Sequence, residues 1–114
     1  TYGYEYDLIP LSQGYRYNLE WTVNPGYAKT LAQQLGLTPR RNLAGEMSFV
    51  YIPTTTPQTA SAIPDPLHIV WWSDASAINE KIQLAKKLGI RGVALFKIDG
   101  GEDPAVWDIL PKKK

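Results

Sequence analysis

Aromatic residues alternate with small or charged ones through residues 2–9 (YGYEYDLI), which puts Tyr2, Tyr4 and Tyr6 on one face of a predicted strand. Pro10 ends the run, and Ser12, Gln13 and Gly14 supply turn chemistry. The alternation resumes over residues 15–23 (YRYNLEWTV). Tyr15, Tyr17, Leu19, Trp21 and Val23 fall on one side, with Arg16, Asn18, Glu20 and Thr22 on the other. Two such runs joined by a short turn predict an antiparallel hairpin. The period then lengthens. Asn24 and Pro25 form a helix start, as N-cap and first helical residue, and Tyr27, Ala28, Leu31 and Leu35 follow at helical spacing up to Gly36.

Residues 38–45 form a polar loop whose Arg40 and Arg41 are free either to grip an anionic group or to sit in solvent. Residues 46–52 (EMSFVYI) read as a third strand with Met47, Phe49 and Tyr51 on one face. The segment 53–66 (PTTTPQTASAIPDP) is too rich in proline and threonine for helix or central strand and predicts an exposed loop. Residues 67–72 (LHIVWW) form a fourth strand. Trp71 and Trp72 are adjacent there, so they point to opposite faces and one of them belongs to the core.

Beyond Trp72 the pattern changes character. Ser73, Asp74 and Ser76 are N-cap candidates for a helix with an apolar stripe of Ile78, Ile82, Ala85 and Leu88, closed by Gly89. Residues 92–96 (GVALF) are apolar on both faces, which predicts a strand covered on both sides as in a parallel α/β sheet. Gly100 and Gly101 allow a tight loop, and Asp103-Pro104 opens a last short helix through Leu110, with Val106, Trp107 and Leu110 as its apolar face. The predicted class is α+β: an antiparallel sheet with one helix over residues 1–72, joined to a helix-strand-helix piece over residues 73–114. A parallel strand needs parallel neighbours, and few are on offer here. The chain therefore reads as a segment of a longer protein, and its abrupt strand-like beginning adds to that expectation.

Composition removes several function classes. The chain of 114 residues is 44% hydrophobic and 20% charged, so it is expected to fold. It is short of the roughly 250 residues of a complete eight-stranded α/β barrel. Twelve basic and eleven acidic residues give a net charge of +1 without a basic stripe, which argues against nucleic acid, and Lys112, Lys113 and Lys114 read as a solvated tail. No apolar run is long enough to span a membrane. With no cysteine and a single histidine, His68, disulfides, thiolate sites and a His-rich metal site drop out. His68 itself reads as structural or exposed.

The run from Asp74 to Trp107, ending in LGIRGVALFKIDGGEDPAVW, resembles the carboxyl end of glycoside hydrolase family 18, the chitinase-like barrels. The likeness is greatest to the bacterial branch of spore-cortex and peptidoglycan N-acetylglucosaminidases. Upstream, Tyr2-Gly3-Tyr4-Glu5-Tyr6 resembles the YGYDW-like run after that family's seventh barrel strand. GEMSFVYI and LHIVWWSDA resemble the small α+β insertion that follows. The resemblance covers nearly the whole chain, most specifically its last forty or so residues. It implies the end of strand seven, the insertion, helix seven, strand eight over residues 91–98 and helix eight.

The resemblance also implies what is missing. The family's proton donor is the glutamate of a D-x-x-D-x-D-x-E run, and this chain has none; Glu5-x-Asp7 and the acids from Asp99 to Asp103 do not match its spacing. The family mechanism is substrate-assisted, so a single positioned acid replaces the usual carboxylate pair. This chain would supply cleft wall and floor, with no catalytic residue, metal or cofactor. Phe96 stands where the family usually has the tryptophan under the scissile sugar, keeping a stacking ring but losing the indole N–H. Tyr2 and Tyr4 are placed at the cleft mouth, and Tyr6 at a second tryptophan position. Read without the resemblance, Phe96 is equally a core residue and the tyrosines are equally a packed sheet face. Asp103 reads as a helix cap, with Glu102 and Asp103 complementing a helix start. The implied ligand is an N-acetylglucosamine-containing glycan. The implied partner is the rest of a barrel or a second copy, and the implied location is secreted or cell envelope. The rival reading is a non-catalytic carbohydrate-binding or structural module.

Overall fold

The computed structural model describes residues 2–53, 66–98 and 100–110. The fold is α+β: a five-stranded antiparallel sheet in the order β2-β1-β5-β4-β3, with one helix against its inner face and two more helices beyond it. The strands are β1 (Gly3–Pro10), β2 (Tyr15–Val23), β3 (Arg40–Arg41), β4 (Met47–Tyr51) and β5 (Leu67–Trp72). The helices are α1 (Pro25–Gln34), α2 (Ala75–Lys87) and α3 (Val106–Ile109). The predicted hairpin is present as β1 and β2, and the two later predicted strands as β4 and β5. The short β3 lies inside the segment expected to be loop: Arg40 and Arg41 pair with Ser48 and Met47 and extend the sheet by one strand.

The inner face carries the larger core. Val23, Phe49, Val70 and Trp72 from three strands meet Ala28 and Ala32 of α1. Small residues on α1 let the helix approach the sheet closely, so its buried stripe is Pro25, Ala28 and Ala32. Tyr27 and Leu35 are displaced to half-exposed positions rather than joining the stripe, as their spacing had suggested. Asn24 caps α1 as expected, its Oδ1 accepting from the Tyr27 N–H at 2.7 Å. Gly3 is required by close approach: a Cβ there would stand 2.6 Å from the Trp71 carbonyl oxygen and 2.8 Å from the Trp72 Cβ.

One irregularity reorganises the hairpin. Glu5 pairs with Trp21 but Tyr6 pairs with Leu19, so Glu20 is an extra residue in β2. The unbroken alternation predicted for 15–23 is therefore corrected. Tyr17 and Leu19 stay on the outer face opposite Leu8 and Tyr6, whereas Trp21 and Val23 turn inward opposite Glu5 and Gly3.

A second, smaller core joins Ala75 and Ile78 of α2 to Val106 of α3, with Leu95, Ile82, Ile109 and Leu110 around it. Asp103 ties the parts together. Its carboxylate accepts from the Ala75 N–H at the start of α2 (3.1 Å) and pairs with Lys29 of α1 (3.3 Å). Asp74 caps α2, accepting from the Ala77 N–H, and is gripped by Arg41 through both guanidinium nitrogens at 3.1 and 2.7 Å.

The helix-strand-helix expectation for residues 73–110 needs one correction. Residues 92–98 lie between two helices but form no strand ladder. Every strand pair in the sheet is antiparallel, and no parallel neighbour is offered to this segment. Only Leu95 is partly buried; Val93 and Ile98 are about half exposed, and Phe96 is 75% exposed. The last helix is also shorter than expected, its first two residues forming a turn closed by the Val106 N–H on the Asp103 carbonyl. The Cα radius of gyration is 17.1 Å. A closed domain of this length measures about 13 Å, so the chain is extended for its size. Most of the proline- and threonine-rich segment, together with Asp99 and the lysine tail, lies outside the described residues.

Candidate functional site

The bulge at Glu20 gathers polar chemistry that strict alternation would have scattered. Glu5 on β1 is 4% exposed, the only buried charged residue among those described. Its Oε2 accepts from the Trp21 indole Nε1–H at 2.6 Å, and its Oε1 faces His68 Nδ1 at 2.8 Å and accepts from the Tyr51 hydroxyl. On the other side of the imidazole, His68 Nε2 stands 2.8 Å from Asp7 Oδ1. That oxygen is buried and has no well-aligned hydrogen bond, so this contact is Coulombic. Glu5 and Asp7 are two residues apart on one strand and so share a face. His68 on β5 reaches both because Asp7 is its cross-strand partner.

Burial, the largest effect, opposes ionisation of Glu5. Hydrogen bonds from His68, Tyr51 and Trp21 and the positive charge of His68 outweigh it together, and hold the carboxyl below its ordinary value. The same carboxylate, after burial, pushes the Tyr51 phenol well above its ordinary value. The neighbouring Asp7 carboxylate raises the pKa of Glu20, through proton sharing first and charge repulsion second. Above the cluster lies an open depression of about 340 Å³ lined by Glu5, Glu20, Trp21, Tyr27, Tyr51 and His68. Trp21 and Tyr27 meet edge to face at 5.3 Å on its rim. Among the described residues no group of side chains is arranged to hold a metal ion.

The four residues expected to touch glycan lie elsewhere. Tyr2 and Phe96 come together, ring centroids 5.8 Å apart, although 94 positions separate them in sequence. Tyr4 and Tyr6 sit on the outer sheet face, 6.2 Å apart, where Tyr6 also meets Tyr17 and Trp71 at 6.2 and 5.1 Å. Trp72 faces the core and Trp71 joins this outer aromatic row, the opposed arrangement their adjacency predicts. Asp103 is not the N-cap it was read to be: α3 starts from Ala105 without a side-chain cap, and the Asp103 carboxylate instead accepts from the Ala75 N–H at the start of α2 and from the Ala105 N–H. Sequence reasoning missed the Glu5–His68–Asp7 cluster. The available signal was two acids at i and i+2 on an otherwise aromatic strand, a spacing that puts both on one sheet face.

The chain is an α+β unit with a five-stranded antiparallel sheet, and parts of three solved structures share that fold. The spore cortex-lytic enzyme SleL of Bacillus cereus is similar over 95% of this chain, with 26% identity and a TM-score of 0.69. SleL of Bacillus megaterium QM B1551 is similar over the same share, at 27% identity and a TM-score of 0.67. The C-terminal domain of a putative chitinase from Desulfitobacterium hafniense DCB-2 shares the fold at 18% identity, 95% coverage and a TM-score of 0.70. The chain spans 22% of each SleL structure and 31% of the chitinase domain. No protein-family model and no curated protein matches it. Among the described residues, no helix is long and apolar enough to cross a membrane.

Proposed function

We propose that this chain is a segment of a family 18-type glycoside hydrolase acting on β-1,4-linked N-acetylglucosamine polymers, chitin or peptidoglycan. The observation that carries the reading is the likeness to two cortex-lytic enzymes along 95% of this chain. In it, residues 1–72 are the end of a barrel strand and an inserted α+β unit, and residues 73–114 are the last βα portion. Tyr2, Tyr4, Tyr6 and Phe96 line the glycan cleft, and the Tyr2–Phe96 contact supports grouping two of them. A secreted or envelope location follows from the polymer. The exposed Leu84, Leu88, Val93, Phe96 and Ile98 are the surface that the remainder of the barrel, or a second copy, would cover.

The segment lacks the family's acidic run and is expected to supply wall and floor only. The purified 114-residue protein should release no detectable sugar from chitooligosaccharides or peptidoglycan. Sustained turnover under these conditions would overturn the reading.

The outer aromatic row of Tyr4, Tyr6, Tyr17 and Trp71 favours a second reading, a free-standing carbohydrate-binding module. The two differ in solution behaviour. A barrel segment should shift to larger species in size-exclusion chromatography as concentration rises. A self-sufficient module should elute as a monomer throughout.

A further inference from the structure

The depression beside Glu5 has a chemistry that the cleft reading does not use. Its lining contains two carboxylates, Glu5 and Glu20, and a third, Asp7, stands directly behind His68. Among the described residues one imidazole is the only basic group in the lining. Glu5 is fully engaged by Trp21, Tyr51 and His68, so it is a fixed charge rather than a free acceptor. Glu20 is exposed, its Oε1 accepting from the Asn18 side-chain amide at 3.2 Å, and so is placed to meet a ligand. Trp21 and Tyr27 are about half exposed and form a rigid aromatic corner at the rim.

These features select together. Excess negative charge at a partly dry surface favours a cation and disfavours an anion. Aromatic faces accept either the apolar C–H face of a ring or a cation beside it. Charged acceptors form their strongest hydrogen bonds with ammonium donors. The open shape suits one unit of a chain lying across the rim rather than an enclosed small molecule. We propose that this depression is a subsite for a protonated amino sugar, a de-N-acetylated glucosamine unit of the polymer. Its ring packs on Trp21 and Tyr27, and its ammonium group bonds Glu20, with the buried charges of Glu5 and Asp7 behind it. The assignment rests on the reading of the chain as a glycan-hydrolase segment, and adds that the polymer is recognised where it has lost acetyl groups.

The test is titration of the 15N-labelled 114-residue protein, followed by amide and indole NMR signals. Three probes are used: a fully de-N-acetylated glucosamine tetramer, the N-acetylglucosamine tetramer, and a trilysine peptide. The glucosamine tetramer should move the Trp21 indole signal and the Glu20 and Tyr27 amides, with affinity at least tenfold above that of the N-acetylated tetramer at the same signals. Glu20→Gln, a change at an exposed position, should remove most of that preference. Trp21→Phe should keep a rim ring while weakening both sugars. Equal binding of the two tetramers, no response at these signals, or trilysine binding as tightly as the glucosamine tetramer would overturn the assignment. Response of Tyr2, Tyr4, Tyr6 and Phe96 to the N-acetylated tetramer alone would leave the cleft reading standing and this subsite refuted. Response at Trp21 to the amine sugar without any at Tyr2 or Phe96 would do the reverse.

Discussion

Replacing Trp72 with alanine should lower the unfolding free energy by about 3–5 kcal/mol, enough to unfold much of a marginally stable population. Trp72 is 1% exposed and sits on β5 between Gly3 of β1 and Met47 of β4. It touches Phe49 edge to face at 6.0 Å and belongs to the cluster with Val23, Ala28, Ala32 and Val70. Strands β1 and β4 and helix α1 therefore meet around one ring on β5. Trp72→Phe separates the packing from the polar part. The Trp72 indole Nε1 is buried with no hydrogen-bond partner, so phenylalanine loses contact area but also removes an unsatisfied donor. Its cost should be well under half that of alanine. Chemical denaturation of the three proteins at neutral pH, read by circular dichroism, checks both statements; an alanine variant within about 1 kcal/mol of the parent would refute the first.

His68→Ala should cost about 2 kcal/mol at pH 7, the order expected for removing one hydrogen-bond partner of a buried carboxylate that Trp21 and Tyr51 still bond. Without the imidazole, Glu5 and Asp7 face each other's charge on one strand, one of them 4% exposed. The pH dependence gives a second readout. Burial raises the Glu5 pKa and the hydrogen bonds and His68 charge more than reverse this, so the folded value lies below the ordinary 4.5. A depressed carboxylate contributes stability that is complete above its unfolded value and is lost as pH falls through the folded one. Glu46 (held down against burial by Lys81 and Ser73), Asp74 (by Arg41 and the Ala77 N–H) and Asp103 (by backbone N–H groups and Lys29) add in the same direction. The parent should therefore weaken progressively below about pH 4.5. In His68→Ala the depression of Glu5 is diminished while its burial remains, so the gap between variant and parent should narrow as pH drops below 4.5. Urea midpoints at pH 5.5 and pH 4 measure this. A gap that is unchanged or widens at pH 4 would show that His68 does not hold the Glu5 charge.

Much of the fold could be read directly because its signals are local. The hairpin follows from two alternating runs around Gly14. The ends of α1 follow from Asn24-Pro25 and Gly36, and the start of α2 follows from Asp74. Adjacent Trp71 and Trp72 had to take opposite faces, whatever the surroundings. The bulge was not legible, since Glu20 fits the alternation as well as its neighbours do; only its pairing with β1 shows it to be supernumerary. The strand expected at 92–96 failed for the complementary reason. An apolar run specifies that it wants cover on both sides, not that cover is present.

The site divides along the same line. The sequence by itself determined the chemistry on hand: no thiol, one imidazole, acids at positions 5 and 7, and aromatics spaced to share a sheet face. Tertiary structure alone decided that His68, more than sixty residues downstream, stands between those two acids, and that Trp21 turns inward to bond one of them. A strand's own period sets which side each residue faces. Which residues meet across that face depends on strand order and on one inserted residue, and both are properties of the assembled sheet.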